Sequence, residues 1–406
     1  MFVPAPVIFV ALFVDVTVAF PSEHFRAVWN TPTRHCNEYG IPFNFNKYEI
    51  IVNSNQAWIG DKIALFDHDK MGLYPFFTDN KTAVNGGIPQ LADFNAHFEQ
   101  VAEDIMEFIP DTEFNGLAVI DWEPWRPTWE RNWDSKKIYQ DQSILLVKKR
   151  HGNWSEEFIK SVAKFEFENA AKSLMEGTLK LVKELRPNAL WGFYGFPRCY
   201  NLDEEKCSNE VKEQNDKLQW LFDSSTAVYP SIYVSAGDQF CNISLLKFIS
   251  ARLDEAIRVV MQSSNPYIPI YSYCRYNYSN TQYYLNNVHL QYTIGQSMKK
   301  GLSGVILWGD NEDTNNPEAC HSLQKYLTLL LGPYVLNTTN LGIQCSKSHC
   351  NYHGRCMEQD NASSHDKISK YCHFSKMEKQ VLTFSRSDTT KCWCYQGWHG
   401  NHCDQK

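Results

Sequence analysis

Residues 117–123 read LAVIDWE. The apolar run Leu117–Ile120 stops at two carboxylates one residue apart, Asp121 and Glu123. In an extended chain, side chains at i and i+2 point the same way, so both carboxyls enter one space. A carboxyl pair can do general acid–base work, because a like charge and apolar walls raise the pKa of the acid until it holds a proton at mild pH. Glycoside hydrolysis with a protein nucleophile needs two carboxyls roughly 5 Å apart on opposite sides of the scissile bond, and the inverting route needs them further apart. Two acids on one strand fit neither arrangement. They fit substrate-assisted hydrolysis, in which the 2-acetamido group of an N-acetylhexosamine attacks its own anomeric carbon. The outer acid then protonates the leaving oxygen while the inner one holds the amide N–H. Trp122, Trp125, Trp129 and Trp133 follow the pair and make up a third of the chain's 12 tryptophans. They are expected to wall the cleft, stack on sugar rings and lower the local dielectric.

The elements that would carry this pair alternate. Strand-like runs at 25–29, 62–66, 116–122, 190–196, 227–234, 267–276 and 304–308 are separated by helical patterns at 91–109, 165–185, 211–225, 245–262, 285–299 and 320–331. About seven such units predict a distorted (β/α) TIM-like barrel, whose chemistry sits at the C-terminal ends of its strands. An open doubly wound sheet is the rival, disfavoured because no glycine-rich phosphate turn follows any strand. Other strand ends also carry candidate groups: Tyr194, Tyr229 and Tyr233, and Trp308 followed by Asp310. Taken singly, each is more often a core aromatic than a ligand contact.

A net charge of −7 argues against a nucleic-acid partner and requires a local basic or hydrogen-bonding cleft for any anionic substrate. No metal cluster, nucleotide loop or other cofactor motif stands out, and His68 reads as a loop residue. Residues 1–19 read as a signal peptide, with a retained anchor as the alternative, and no later stretch is apolar enough to span a bilayer. Sequons at Asn80, Asn153, Asn242, Asn277, Asn337 and Asn361 and 13 cysteines agree with a secreted glycoprotein. The domain reading is a barrel over 20–340 and a tail module over 341–406. The spacing of Cys345, Cys350, Cys356, Cys392, Cys394 and Cys403 is that of an epidermal-growth-factor-like module, split by a polar insertion at 357–391. Its expected pairing is Cys345–Cys356, Cys350–Cys392 and Cys394–Cys403, and a zinc site is the weaker reading.

DWEPWRPTWERNW, LWGFYGFPRCYN, TAVYPSIYV and GVILWGDNED together resemble the hyaluronidases of animal tissues and venoms, over about residues 25–403. The resemblance implies an endo-acting glycosidase with a long groove for hyaluronan and with chondroitin as a slower substrate. A chondroitin-preferring hydrolase and a non-catalytic glycosaminoglycan-binding protein are the alternatives. It implies Glu123 as proton donor and later base, Asp121 and Tyr233 as the groups that orient the acetamide, Tyr194, Trp308 and Trp122 as substrate contacts, and Arg126 as a group that holds the acids in place or binds a substrate carboxylate. It also implies Cys36–Cys320 and Cys199–Cys207 bridges, which leave Cys241–Cys274 as an expected extra pair and Cys372 as the odd thiol. Two departures stand out: Asp67 occupies a position where several relatives carry a groove tyrosine, and the tail insertion at 357–391 differs from the compact form of the module.

Overall fold

The computed structural model describes residues 24–200, 206–235, 243–358 and 390–406. The expected signal segment, most of the tail insertion, Cys241, Cys372, Asn242 and Asn361 lie outside the described residues. The strands are β1 (Arg26–Asn30), β2 (Ile50–Val52), β3 (Ile63–Asp67), a small hairpin of β4 (Phe76–Phe77) and β5 (Ala83–Val84), then β6 (Leu117–Asp121), β7 (Leu190–Phe193), β8 (Tyr271–Arg275) and β9 (Gly304–Trp308). They form two parallel sheets, ordered β2-β1-β9-β8 and β3-β6-β7.

The expected strand at 227–234 closes the gap between β7 and β8, but only through single bridges, Tyr194–Tyr229, Val228–Ile270 and Ser231–Tyr273. Pro230 sits in its middle and has no N–H to give to a ladder. On the other side, Asn53 spans the end of β2 and the start of β3. Its buried amide donates to the Ile63 carbonyl at 2.8 Å and accepts from the Ile63 and Lys62 amides at 2.9 and 2.8 Å. The strand β2, which the sequence reading lacks, is only three residues long and follows a short 3-10 turn.

Alternation along the strands divides their side chains between two environments. Val28, Ile63, Leu117, Val119, Tyr229, Tyr271, Tyr273 and Ile306 fill the barrel interior. Residues of the other parity, such as Ala118 and Ile120, face the helices. Of these helices, Phe94–Phe108, Glu156–Leu185 and Ile243–Gln262 match predicted helical patterns, although the second starts nine residues before its predicted onset. A helix over Lys137–Arg150 goes beyond the predicted set.

The helix Pro317–Tyr326 passes through a π-helical turn, Leu327–Leu331, into Gly332–His349. The expected domain boundary at 340/341 thus falls within a continuous helix that carries Cys345. Beyond it, β10 (Gly354–Glu358) and β11 (Thr390–Cys394) pair antiparallel with Cys356 opposite Cys392. The tail is pinned to the barrel where Arg355 Nε donates to the Gly301 carbonyl at 2.7 Å and Lys299 pairs with Glu358 at 3.1 Å. Five disulfides are present among the described residues: Cys36–Cys320, Cys199–Cys207, Cys345–Cys356, Cys350–Cys392 and Cys394–Cys403. Cys274 corrects the expected Cys241–Cys274 pair. It is a free thiol buried on β8 against the helical layer, and burial pushes its pKa up to about 12.

Candidate active site

Val119 faces the barrel interior, so Asp121, two residues on, points into the barrel mouth. Its in-register neighbour is Asp67 at the end of β3. Glu123 follows on the loop and is more open, with 47% of its side chain exposed. The two carboxyls therefore share the mouth but not an environment. Burial pushes Asp121 up to about 8, and the Glu123 and Asp67 charges add to this. Glu123 is pushed the other way: burial works to raise it, but the charges of Arg198, Arg126 and Lys136 outweigh burial and hold it below its usual value. This reverses the expectation for the outer acid. With Asp121 raised to about 8 and Glu123 lowered, the pair's proton lies on Asp121 below about pH 8 and Glu123 is the member that ionises first.

The cations around Glu123 come from two segments. Arg126 Nη2 lies 3.2 Å from Glu123 Oε1, and its Nη1 donates to the Glu123 carbonyl at 2.5 Å. Being buried, Arg126 braces the acid rather than facing a ligand. Lys136 Nζ donates to the Glu123 and Pro124 carbonyls at 2.6 and 3.1 Å, and burial pulls its pKa down to about 8. Arg198, on the loop after β7, approaches the same Oε1 to 2.5 Å through Nη2. The sequence reading overlooked Arg198. Its only local signal was its place two residues after the Tyr194–Gly195–Phe196 strand end.

The loop carrying these groups is braced by its own polar side chains. Asn132 accepts from the Arg126 amide at 2.8 Å and returns its Nδ2 to the Arg126 and Thr128 carbonyls at 2.7 and 3.0 Å. Trp125 Nε1 donates to the Pro75 carbonyl at 2.8 Å, and the Trp129 amide donates to Glu168 at 2.8 Å.

That bracing corrects the reading of the tryptophans. Trp122 has the parity of Ile120 and turns away from the mouth. It is 3% exposed and packs against Tyr74, His97 and Phe193, with ring centroids 4.8, 5.5 and 5.3 Å away. Trp125 and Trp129 are buried too, both edge-on to Phe167. Trp122 is thus a core residue and not a substrate contact. Trp133, at 58% exposure, presents an open ring beside Tyr200.

The opposite wall of the mouth is aromatic. Tyr194 and Tyr233 lie with ring centroids 6.2 Å apart, Tyr233 stacks on Trp308 at 6.1 Å, and Tyr273 lies edge-on to Tyr194 at 5.0 Å. Tyr194 Oη donates to Ser231 Oγ at 3.2 Å. Behind Trp308, the Arg275 guanidinium sits 4.8 Å from the indole centre and pairs with Asp310 at 2.9 Å and Asp313 at 3.4 Å. Burial raises both Tyr194 and Tyr233 above the usual phenol value, so both stay protonated donors. The site therefore combines a protonatable acid at the barrel mouth, an ionised acid beside it, hydroxyl donors and flat aromatic surface.

One sequon is also corrected. Asn277 is 1% exposed; its Nδ2 donates to Asp313 Oδ1 at 2.9 Å and its Oδ1 accepts from Arg275 Nε at 2.8 Å. It supports the Asp313 network and is not open to a glycan, whereas Asn80, Asn153 and Asn337 are exposed.

A parallel strand barrel with an acid pair at its mouth and an aromatic wall opposite defines a glycoside hydrolase. The chain belongs to the hyaluronidase family, glycoside hydrolase family 56, whose pattern matches residues 15–406. It is 36% identical to human hyaluronidase-1 over 409 residues, covering 95% of this chain and 93% of the relative. It is 37% identical to a hyaluronidase of the spider Loxosceles intermedia, covering 96% of this chain and 98% of the relative. The structure resembles crystalline bee venom hyaluronidase with a TM-score of 0.72 and 32% identity, over 77% of this chain and 99% of that one. A second bee venom structure, equally similar, holds a hyaluronic acid tetramer.

Proposed function

We propose that the protein is a secreted endo-β-N-acetylhexosaminidase that cuts hyaluronan between N-acetylglucosamine and glucuronate by a substrate-assisted, retaining route. The observation that carries this reading is the unequal acid pair at one strand end, facing Tyr194, Tyr233 and Trp308. The acetamido oxygen attacks the anomeric carbon as Glu123 gives its proton to the leaving glycosidic oxygen. Asp121, ionised at that moment, accepts the amide N–H and stabilises the positive charge of the cyclic intermediate. The Tyr233 hydroxyl helps to orient the acetamide. Water then opens the intermediate on the same face, with Glu123 taking its proton.

The cations beside Glu123 suit a polyanionic sugar chain despite the net charge of −7. The hyaluronic acid bound to the bee venom relative supports a glycosaminoglycan substrate. We infer chondroitin as a slower substrate, as the resemblance to the hyaluronidases implies. Disulfides and exposed sequons support an extracellular setting, and no helix among the described residues is long and apolar enough to cross a membrane.

The test is digestion of hyaluronan by the purified protein beside Glu123→Gln, with product ends identified. Saturated even-numbered oligosaccharides ending in N-acetylglucosamine, lost by about three orders of magnitude or more in the variant, are expected for removal of an essential general acid. Unsaturated ends absorbing in the ultraviolet would indicate a lyase. Intact polymer at every pH, with tight binding, would indicate a binding protein.

A further inference from the structure

The hydrolytic cycle leaves one contact unexplained. Glu123 must carry a proton when the leaving oxygen departs, yet two guanidinium groups converge on its Oε1, Arg126 at 3.2 Å and Arg198 at 2.5 Å. Arg126 is held on the spot, buried and bonded to the Glu123 and Trp125 carbonyls. Arg198 differs from it. It arrives from another strand end, about a quarter of its side chain is exposed, and its buried Nε has no hydrogen-bond partner. Its carbonyl is fixed by Asn215 Nδ2 at 3.0 Å, and Asn215 is itself gripped by Arg131 Nη2 at 2.7 Å. The next residue, Cys199, is tied to Cys207. The backbone is thus anchored while the guanidinium keeps a free donor. Gly195 makes the approach possible: it sits at φ +78°, and a Cβ there would lie 2.9 Å from Arg198 Nη2.

The substrate supplies a competing anion. In hyaluronan the leaving sugar is glucuronate, whose carboxylate sits on the ring carbon next to the one bearing the glycosidic oxygen. When Glu123 touches that oxygen, the glucuronate carboxylate falls within reach of the group that holds Glu123. We propose that Arg198 is a substrate-responsive positioning residue. It holds Glu123 as a carboxylate before substrate binds and pairs with the leaving-side glucuronate afterwards, so that the one proton of the acid pair passes from Asp121 to Glu123. The count balances: Asp121 loses the proton that Glu123 gains, the pair's charge is unchanged, and both acids reach the states that the hydrolytic step needs. This rests on the hydrolase reading above and deepens it.

The other charged or titratable neighbours do not replace Arg198 in this role. Arg126 and Lys136 stay on backbone carbonyls of the loop. Arg252 lies near Arg198 and likewise has an unpaired buried Nε, but its Nη1 is bonded to the Ser231 carbonyl at 2.9 Å and its guanidinium lies on the Phe248 ring, whereas Arg126 and Arg198 are the guanidinium groups bonded to Glu123. Tyr74, Tyr194 and Tyr233 stay neutral, and Asp67 acts on Asp121.

The experiment compares hyaluronan with the same polymer after its carboxylates are reduced to primary alcohols, using wild type, Arg198→Gln and Arg198→Lys. With wild type, the reduced polymer should show kcat lowered about tenfold or more. The basic limb of its kcat profile should lie about one pH unit lower, because Arg198 then stays on Glu123. In Arg198→Gln acting on hyaluronan, the basic limb of kcat/KM should move up by about one unit, since the pair loses a cation. The preference for the carboxylated polymer should fall, and Arg198→Lys should restore part of both effects. Equal kcat and equal pH limbs for the two polymers with wild type would overturn the proposal without involving any variant. An unmoved limb in Arg198→Gln with only KM raised would reduce Arg198 to a binding contact and overturn it too. Failure of wild type to cut native hyaluronan would instead strike the hydrolase reading itself.

Discussion

Asp67 and Asp121 are register partners at the ends of adjacent parallel strands, β3 and β6, and both point into the barrel mouth. The acid pair is therefore a triad of carboxyls, with Asp67 supplying a further negative charge that helps keep the proton on Asp121. Asp67 is itself raised, first by burial and then by its bond with Asp69.

Removing that charge has a definite sign. In Asp67→Asn, the Asp121 carboxyl loses a like-charged neighbour and releases its proton at lower pH. The basic limb of kcat/KM should move down by a fraction of a pH unit, while kcat at the optimum changes less than about tenfold. A pH–rate series on the variant and wild type checks this, and a shift to higher pH would contradict it.

The raised Asp121 also costs stability. Its folded value of about 8 lies far above the usual carboxylate value, near 3.9 in an unfolded chain. Between those values the unfolded chain releases a proton that the folded protein keeps, so stability falls as pH rises from about 4 to about 8 and then levels off. Asp121→Asn is neutral throughout. It should be nearly as stable as wild type at pH 4 and a few kcal/mol more stable at pH 8, with activity lost. Urea unfolding midpoints at the two pH values give the comparison, and a gap that narrows toward pH 8 would show the sign to be wrong.

Which of these features could be read beforehand depends on how local their cause is. Asp121 and Glu123 were legible because an apolar strand ending on acids is a local pattern, and the strand ends at Tyr194 and Trp308 share that property. The orientation of Trp122 was legible in principle from the same alternation: if Asp121 faces the mouth, its neighbour must face the helices. Clustering of tryptophans obscured that. Arg198 was not legible, because its reach to Glu123 depends on a left-handed turn at Gly195 and on Asn215, which comes from a helix well along the chain. The direction of the Glu123 pKa followed from the same long-range contact. The helix through 341 was masked by Gly332, Pro333 and Gly342, residues that punctuate loops; here Pro333 directly follows the π-helical turn Leu327–Leu331 and the chain stays helical through it.

Asn277 shows how a sequon can be overruled by packing. Its amide bridges Asp313 and the Thr281 carbonyl, and its oxygen takes the Arg275 Nε–H. A glycan there would unpair these buried groups beneath Trp308. Glycopeptide mapping of the protein made in a glycosylating host should find Asn277 bare and glycans among Asn80, Asn153 and Asn337. Asn277→Gln, too long for the same contacts, should lower thermal stability by about 1–3 kcal/mol. A hexosamine mass on Asn277 would contradict the assignment.

Cys36 and Cys320 are fully buried and 284 residues apart in sequence, and their bridge ties the helix after β1 to the helix after β9. It therefore links the first and last turns of the barrel beside the β1–β9 pair at the centre of the sheet β2-β1-β9-β8. The sulfurs lie far from the acid pair in sequence and belong to the helical layer rather than the mouth. A crosslink enclosing so long a loop removes more unfolded-chain freedom than the shorter tail bridges, about 6 kcal/mol in the chain-entropy description. The double variant Cys36→Ala/Cys320→Ala should keep the pH profile of hydrolysis and lose roughly 2–5 kcal/mol of stability, read as a lower urea midpoint and faster thermal inactivation. A loss no greater than that from removing Cys394–Cys403, whose separation is 9 residues, would show that the loop length does not govern this barrel's stability.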